Sequence, residues 1–185
     1  IKIRKFHKGD GIINTKKFYG IYKNLDKNYD FFIPVDCESH ILSLENLYEK
    51  CLLEDSFKKV YGTRIEEKPG RPTKILLKVS KCSINLLLDS CKDKEQIEKI
   101  QSKVDKNFFS FWSNMPVYEA KKTKHFLDFI DFKNADGFLS KVSWYSFDHM
   151  VYQNFCLSFY DFELVVYDKL KNGIVKKVSK EHYEN

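Results

Sequence analysis

Two carboxylates separated by one residue, Asp36 and Glu38, follow directly on the apolar run YDFFIPV (29–35), and His40 continues the alternation. In extended backbone, alternate side chains share a face, and two such groups stand roughly 6–7 Å apart along the strand. A pair so placed has the geometry to hold a divalent cation, with waters and a phosphate completing its oxygen shell. The same residues also fit a plain ending, in which Asp36 opens a turn, Glu38 is solvated and Ser39 helps to cap a helix. The elements on either side bear on the choice.

Upstream, Phe18, Ile21, Tyr22 and Leu25 recur at helical spacing. They predict a helix over residues 14–25 with one apolar face and Asn14 or Thr15 as its cap. NLDKN then turns the chain, and YDFFIPV has the length and apolarity of a strand covered on both faces. Helix, turn and buried strand is the pattern of an α/β sheet, in which ligands meet the carboxyl ends of the strands. Downstream, SLENLYEKCLL predicts a second helix with Ser43 as its cap. EEKPGRPT (66–73) holds two of the four prolines and reads as a loop, and KILLKVS (74–80) after it as a β-compatible run.

KDKEQIEKIQSKV carries Ile97, Ile100 and Val104 on an otherwise charged segment, which predicts an exposed amphipathic helix. NFFSFW predicts a strand ending at Trp112, with a loop around Met115 and Pro116 and a helix from about Glu119, its inner side formed by Phe126, Leu127 and Ile130. SFDHMVYQNFCLSFY predicts a largely buried helix. FELVVYD predicts a closing strand, and the Lys-rich tail from Lys169 reads as peripheral.

With 185 residues and 43% hydrophobic content, the chain has the size of one α/β domain, or of the C-terminal part of a longer protein. The net charge of +6 is almost wholly lysine, with three arginines, and the lysines are interleaved with acids along most of the chain. A nucleic-acid footprint concentrates its basic residues and uses arginine forks, so the composition argues against that partner. Five cysteines, odd in number and without CxxC spacing, fit reduced thiols in a cytoplasmic setting and not a zinc site or a disulfide framework. No run approaches the roughly 18 apolar residues that a membrane span needs.

The order of amphipathic helix, KNYDFFIPVDCES and helix resembles the centre of a GT-A-type glycosyltransferase, in which a buried strand ends in a D-x-D or related acidic motif. FWSNMPVYEAKKTKHFLDFI resembles the acceptor-side strand, loop and helix of capsule and lipopolysaccharide glycosyltransferases. SWYSFDHMVYQNF is similar to their distal motif, with Asp148, Tyr152 and Asn154 at its acidic, Tyr and Asn positions. The resemblance spans residues 14–167. It implies a mixed central sheet flanked by helices, a nucleotide-sugar donor, a glycan acceptor, and a Mn²⁺ or Mg²⁺ ion held by Asp36 with Glu38 assisting. Asp148 would be the base that deprotonates the acceptor hydroxyl or the group that steadies an oxocarbenium-like centre, with His149 as the next base. Tyr152 and Asn154 would orient sugar hydroxyls, and Trp112 and Tyr145 would offer faces to a sugar ring. The chain departs from the family in its second acid, a glutamate, and in having 35 residues before Asp36, where GT-A enzymes place two or three β-α units. It therefore reads as a GT-A-like domain truncated at its N-terminus.

Two other classes compete. A non-catalytic α/β accessory or interaction module accounts for the missing units and for the absence of a glycine-rich phosphate loop. A metal-dependent nuclease-like domain would use Asp36 and Glu38 as ligands and the lysine excess as phosphate footprint. It lacks an acid-x-Lys pair on the next predicted strand and ranks third.

Overall fold

The computed structural model describes residues 12–35, 45, 48–53, 55–65, 71–110 and 116–166. Among them it is a mixed α/β structure of six α-helices and two small sheets. The helices are α1 (Ile12–Tyr22), α2 (Arg71–Leu88), α3 (Lys94–Lys103), α4 (Ala120–Phe129), α5 (Ala135–Lys141) and α6 (Asp148–Phe159). Strands β2 (Lys59–Arg64), β3 (Phe108–Ser110) and β5 (Glu163–Val166) form a sheet in the order β3-β2-β5, with β2 antiparallel to β3 and parallel to β5. A separate antiparallel pair joins β1 (Phe31–Phe32) to β4 (Tyr118–Glu119), with Phe31 opposite Glu119 and Phe32 opposite Tyr118.

Helix α6 is the axis of the molecule. All eleven residues from Asp148 to Ser158 are buried, the polar ones included, and α1, α2, α3 and α4 pack against it. Such a helix needs partners all round, and aromatic rings supply much of the contact. Phe155 lies 5.3 Å from Phe126, 5.3 Å from Phe129 and 5.0 Å from Phe159, centroid to centroid. Phe18 of α1 meets Phe126 edge-on at 5.4 Å. These separations suit the ring quadrupole, which favours tilted over face-to-face contact.

Local chemistry sets the ends of the elements. Asp93 caps α3, its side chain accepting from the Gln96 amide at 2.9 Å, while the Gln96 side chain accepts from the Lys92 amide at 2.8 Å. Helix α4 stops at Asp131, whose φ of 55° is left-handed. There the Phe132 amide donates to the Leu127 carbonyl and the Asp131 amide to the Asp128 carbonyl, the paired bonds of a Schellman ending. In β2, Gly62 lets β3 approach. A Cβ at that position would come within 2.3 Å of both the Phe108 ring and the Phe109 carbonyl.

Several expectations need correction. The run KILLKVS is helical and belongs to α2. Val79, Ser80, Ser83, Leu86 and Leu87 are its buried positions, a 3.6 period visible only over a longer window than seven residues. Thr73, expected in a loop, lies in the first turn of α2 behind Pro72, where a proline removes an amide that has no intrahelical partner. The first helix spans Ile12–Tyr22, shorter than expected at its C-terminal end, and Lys23 to Asp26 form turns. The run 29–35 yields only the two-residue, half-buried β1, outside the three-stranded sheet. Pro34 has no amide to donate, which limits the ladder. Tyr48–Leu53, within the second predicted helix, is a short π-helix. Helices α3, α4 and α6 and strand β5 fall where the sequence puts them. The ends of several predicted segments, and the Lys-rich tail from Lys169, lie outside the described residues.

Candidate functional site

The first residue of α6, Asp148, has a wholly buried side chain in a core of rings. Burial disfavours the charged carboxylate and raises its pKa, and it is the largest influence. Three neighbours oppose it: the Lys17 ammonium, the Tyr118 hydroxyl and the backbone amides at the start of the helix. Tyr118 donates to Asp148 Oδ2 at 2.8 Å, and Lys17 Nζ lies 3.8 Å from Oδ1. The helix N-terminus adds its own positive end.

Each partner is delivered by a different element. Lys17 sits on α1 three residues after buried Asn14 and four before buried Ile21, so the helical period turns it toward the core. Asn14 Nδ2 donates to the Trp144 carbonyl at 3.4 Å, tying α1 to the turn that precedes α6. Tyr118 comes from β4, and its ring lies against Tyr152, one turn along α6, at 4.4 Å and a tilt of 33°. The Tyr152 hydroxyl in turn accepts from the Glu119 amide at 3.2 Å. Thr123 closes the start of α4 by donating to the Glu119 carbonyl at 2.7 Å, and Lys122 pairs with the Glu119 carboxylate.

His149 is buried beside Asp148, and burial pushes its pKa down to about 4, with the Lys17 charge acting in the same sense. A hydrogen bond with the Ser110 backbone, at the end of β3, acts against the shift. At neutral pH the ring is therefore uncharged. Burial also drives the Tyr118 and Tyr152 hydroxyls far up, so both remain protonated.

The other predicted site residues divide into two groups. Asn154 is buried two residues beyond Tyr152, and Tyr145 is half-buried with the Lys78 ammonium 4.0 Å above its ring. Asp36, Glu38 and Trp112, together with His40, lie outside the described residues. Their flanking strands are described. β1, which precedes Asp36 in sequence, pairs with the strand whose Tyr118 holds Asp148. β3, which precedes Trp112, ends at the residue that meets His149. The described residues contain no group of three or more His, Cys, Asp or Glu able to hold a metal ion.

Sequence reasoning missed Tyr118 and Lys17. The period of α1 carried a signal for Lys17, since Asn14, Lys17 and Ile21 fall on one helical face. Tyr118 lies on a strand of two residues, which has no period to read. No protein-family model, curated protein or solved structure matches the chain.

Proposed function

We propose that the chain is a GT-A-like glycosyltransferase domain that passes a sugar from a nucleotide-sugar donor to a glycan acceptor, in a cytoplasmic setting. One observation supports the reading above the others. The strand that precedes Asp36 pairs with the strand whose Tyr118 holds Asp148, so the described parts of the three segments of the resemblance are neighbours in the fold. In this reading Asp36 and Glu38 are the residues assigned to Mn²⁺ or Mg²⁺, and Trp112 and Tyr145 are the surfaces assigned to a sugar ring. Asp148 is best cast as a positioning residue. A general base must come within hydrogen-bond reach of the proton it takes, and the Asp148 carboxyl is enclosed by Tyr118 and Lys17. Its part is to fix β4 and α1 against the end of α6. Tyr152 supports β4 through Glu119, and His149 and Asn154 line the same helix.

The test is thermal unfolding of the purified chain against nucleoside diphosphates and nucleotide sugars, with and without Mn²⁺, beside an Asp36→Ala control. A metal-dependent rise in midpoint for one nucleotide, absent in the control, supports donor binding. No shift with any ligand, from a cooperatively folding protein, refutes it. The complete burial of Asp148 and His149 favours a second reading, a non-catalytic accessory module in which this cluster serves only folding. That reading expects no ligand shift at all.

A further inference from the structure

Helix α2 contains Arg71, Lys74, Lys78 and Lys81 and not one acidic residue in its eighteen positions, in a chain that has 26 acids. At about 100° per residue, Lys74, Lys78 and Lys81 fall within roughly 60° of helix arc. All three are exposed, and Ile75 beside them is 42% exposed. Lys74 and Lys81 enter no ion pair among the described residues. This separates them from the lysines of α3, where Lys94 pairs with Glu98 at 3.3 Å and Lys99 with Glu95 at 2.7 Å.

The turn before α6 extends the same surface. Tyr145 lies under the Lys78 ammonium at 4.0 Å, and Ser146 Oγ reaches the Cys82 carbonyl at 3.4 Å. These contacts fasten residues 143–146 to the flank of α2. The turn carries Trp144, 43% exposed, and residues 142–147 contain no acid. An indole and an isoleucine at the surface beside lysines that have no ion pair among the described residues make a face that is both apolar and cationic.

We propose that this face docks the chain onto an anionic lipid bilayer. Trp144 and Ile75 would enter the headgroup boundary while Lys74, Lys78 and Lys81 neutralise lipid phosphates. Indole rings favour that boundary, and each lysine near an anionic leaflet adds affinity. A nucleic acid fits less well. The described face offers lysines in place of arginine forks, the Tyr145 ring is already covered by Lys78, and its exposed Ile75 has no role in phosphate binding. The surface shares Tyr145 with the sugar-transfer reading but requires neither a donor nor a metal, so either can fail without the other.

The experiment is co-flotation of the full chain with vesicles of phosphatidylglycerol and phosphatidylcholine in equal parts, against vesicles of phosphatidylcholine alone. Binding to the anionic vesicles alone is expected. The triple variant Lys74→Gln, Lys78→Gln, Lys81→Gln should bind about 100-fold more weakly, at roughly fivefold per lysine. These side chains are exposed, and an unchanged unfolding midpoint checks the variant's fold. In a Trp112→Phe background, the remaining Trp144 fluorescence should shift to the blue when anionic vesicles are added. Trp144→Ala should weaken binding with all lysines in place. Absence of binding to anionic vesicles overturns the proposal. So does equal binding by the triple variant, or tighter lysine-dependent binding to single-stranded DNA without a fluorescence shift.

Discussion

Replacing Tyr118 with Phe tests whether the buried cluster at the start of α6 works as the geometry indicates. The substitution removes one oxygen and keeps the ring, so the stacking on Tyr152 at 4.4 Å is retained. What is lost is the bond of 2.8 Å to a carboxylate that water does not reach. A hydrogen bond to a charged group contributes about 1.5–3 kcal/mol, so a loss of about 2 kcal/mol is expected where Asp148 is ionised. For a domain of this size that corresponds to a fall in Tm of about 4–8 °C. The pH dependence is the sharper readout. The folded pKa of Asp148 lies above its ordinary value of 3.8, so the folded state binds a proton that the unfolded state has released. Stability contributed by this group therefore falls as pH rises from the ordinary value through the folded one. The Tyr118 hydroxyl favours the ionised form, and without it the folded pKa climbs further. The gap between Tyr118→Phe and the parent should be widest above the folded pKa of Asp148 and should narrow as the carboxyl is protonated. Urea unfolding of both proteins between about pH 4 and pH 8 measures it. A gap that is absent, or that has the same size across the range, would show that the hydroxyl does not serve the ionised carboxylate.

Three further outcomes follow from other parts of the structure. His149 has its folded pKa lowered from 6.5 to about 4, so its neutral form is the folded one and the unfolded state takes up a proton first. Stability should fall by about 3 kcal/mol as pH drops from about 6.5 to 4, and His149→Asn should flatten that limb in chemical unfolding, a limb that the raised pKa of Asp148 partly offsets. Gly62→Ala drives a methyl into the Phe108 ring and the Phe109 carbonyl, both at 2.3 Å. A loss of about 3 kcal/mol or more is expected, and a urea midpoint within error of the parent would contradict the close approach of β2 and β3. Asp93→Ala removes the acceptor at the start of α3, with an expected cost of about 1 kcal/mol and faster amide exchange confined to the first turn of that helix.

The legible parts of the fold are the long periodic ones. Helix α3 shows itself through Ile97 and Ile100 on a charged segment, and α6 through Met150, Val151, Phe155 and Phe159 on one face with Tyr152 and Cys156 beside it. The polar residues of α6 were harder. The resemblance singles out Asp148, Tyr152 and Asn154, but nothing in a linear pattern says that a carboxylate will be enclosed and met by a lysine from 131 residues earlier. That depends on α1 packing against α6. The pair β1–β4 was illegible for a related reason. Two residues on each side give no alternation to count, and the pairing joins segments 86 residues apart. KILLKVS was misread because seven residues with Ile, Leu and Val suit a strand as well as a helix, and the serines on the buried face of α2 conceal its period.

The parallel pairing of β2 with β5 sets Lys59 opposite Glu163, 104 positions further along the chain. During synthesis β2 emerges first and finds β3 some 44 to 48 residues later, when Phe108 opposite Arg64 and its neighbours become available. Its second edge stays without a native partner until the segment 163–166 leaves the ribosome. Contacts of such separation slow folding, and an open strand edge invites pairing with other chains meanwhile. The yield of folded protein should therefore depend on temperature and on chaperone supply during expression more than on the stability of the finished fold.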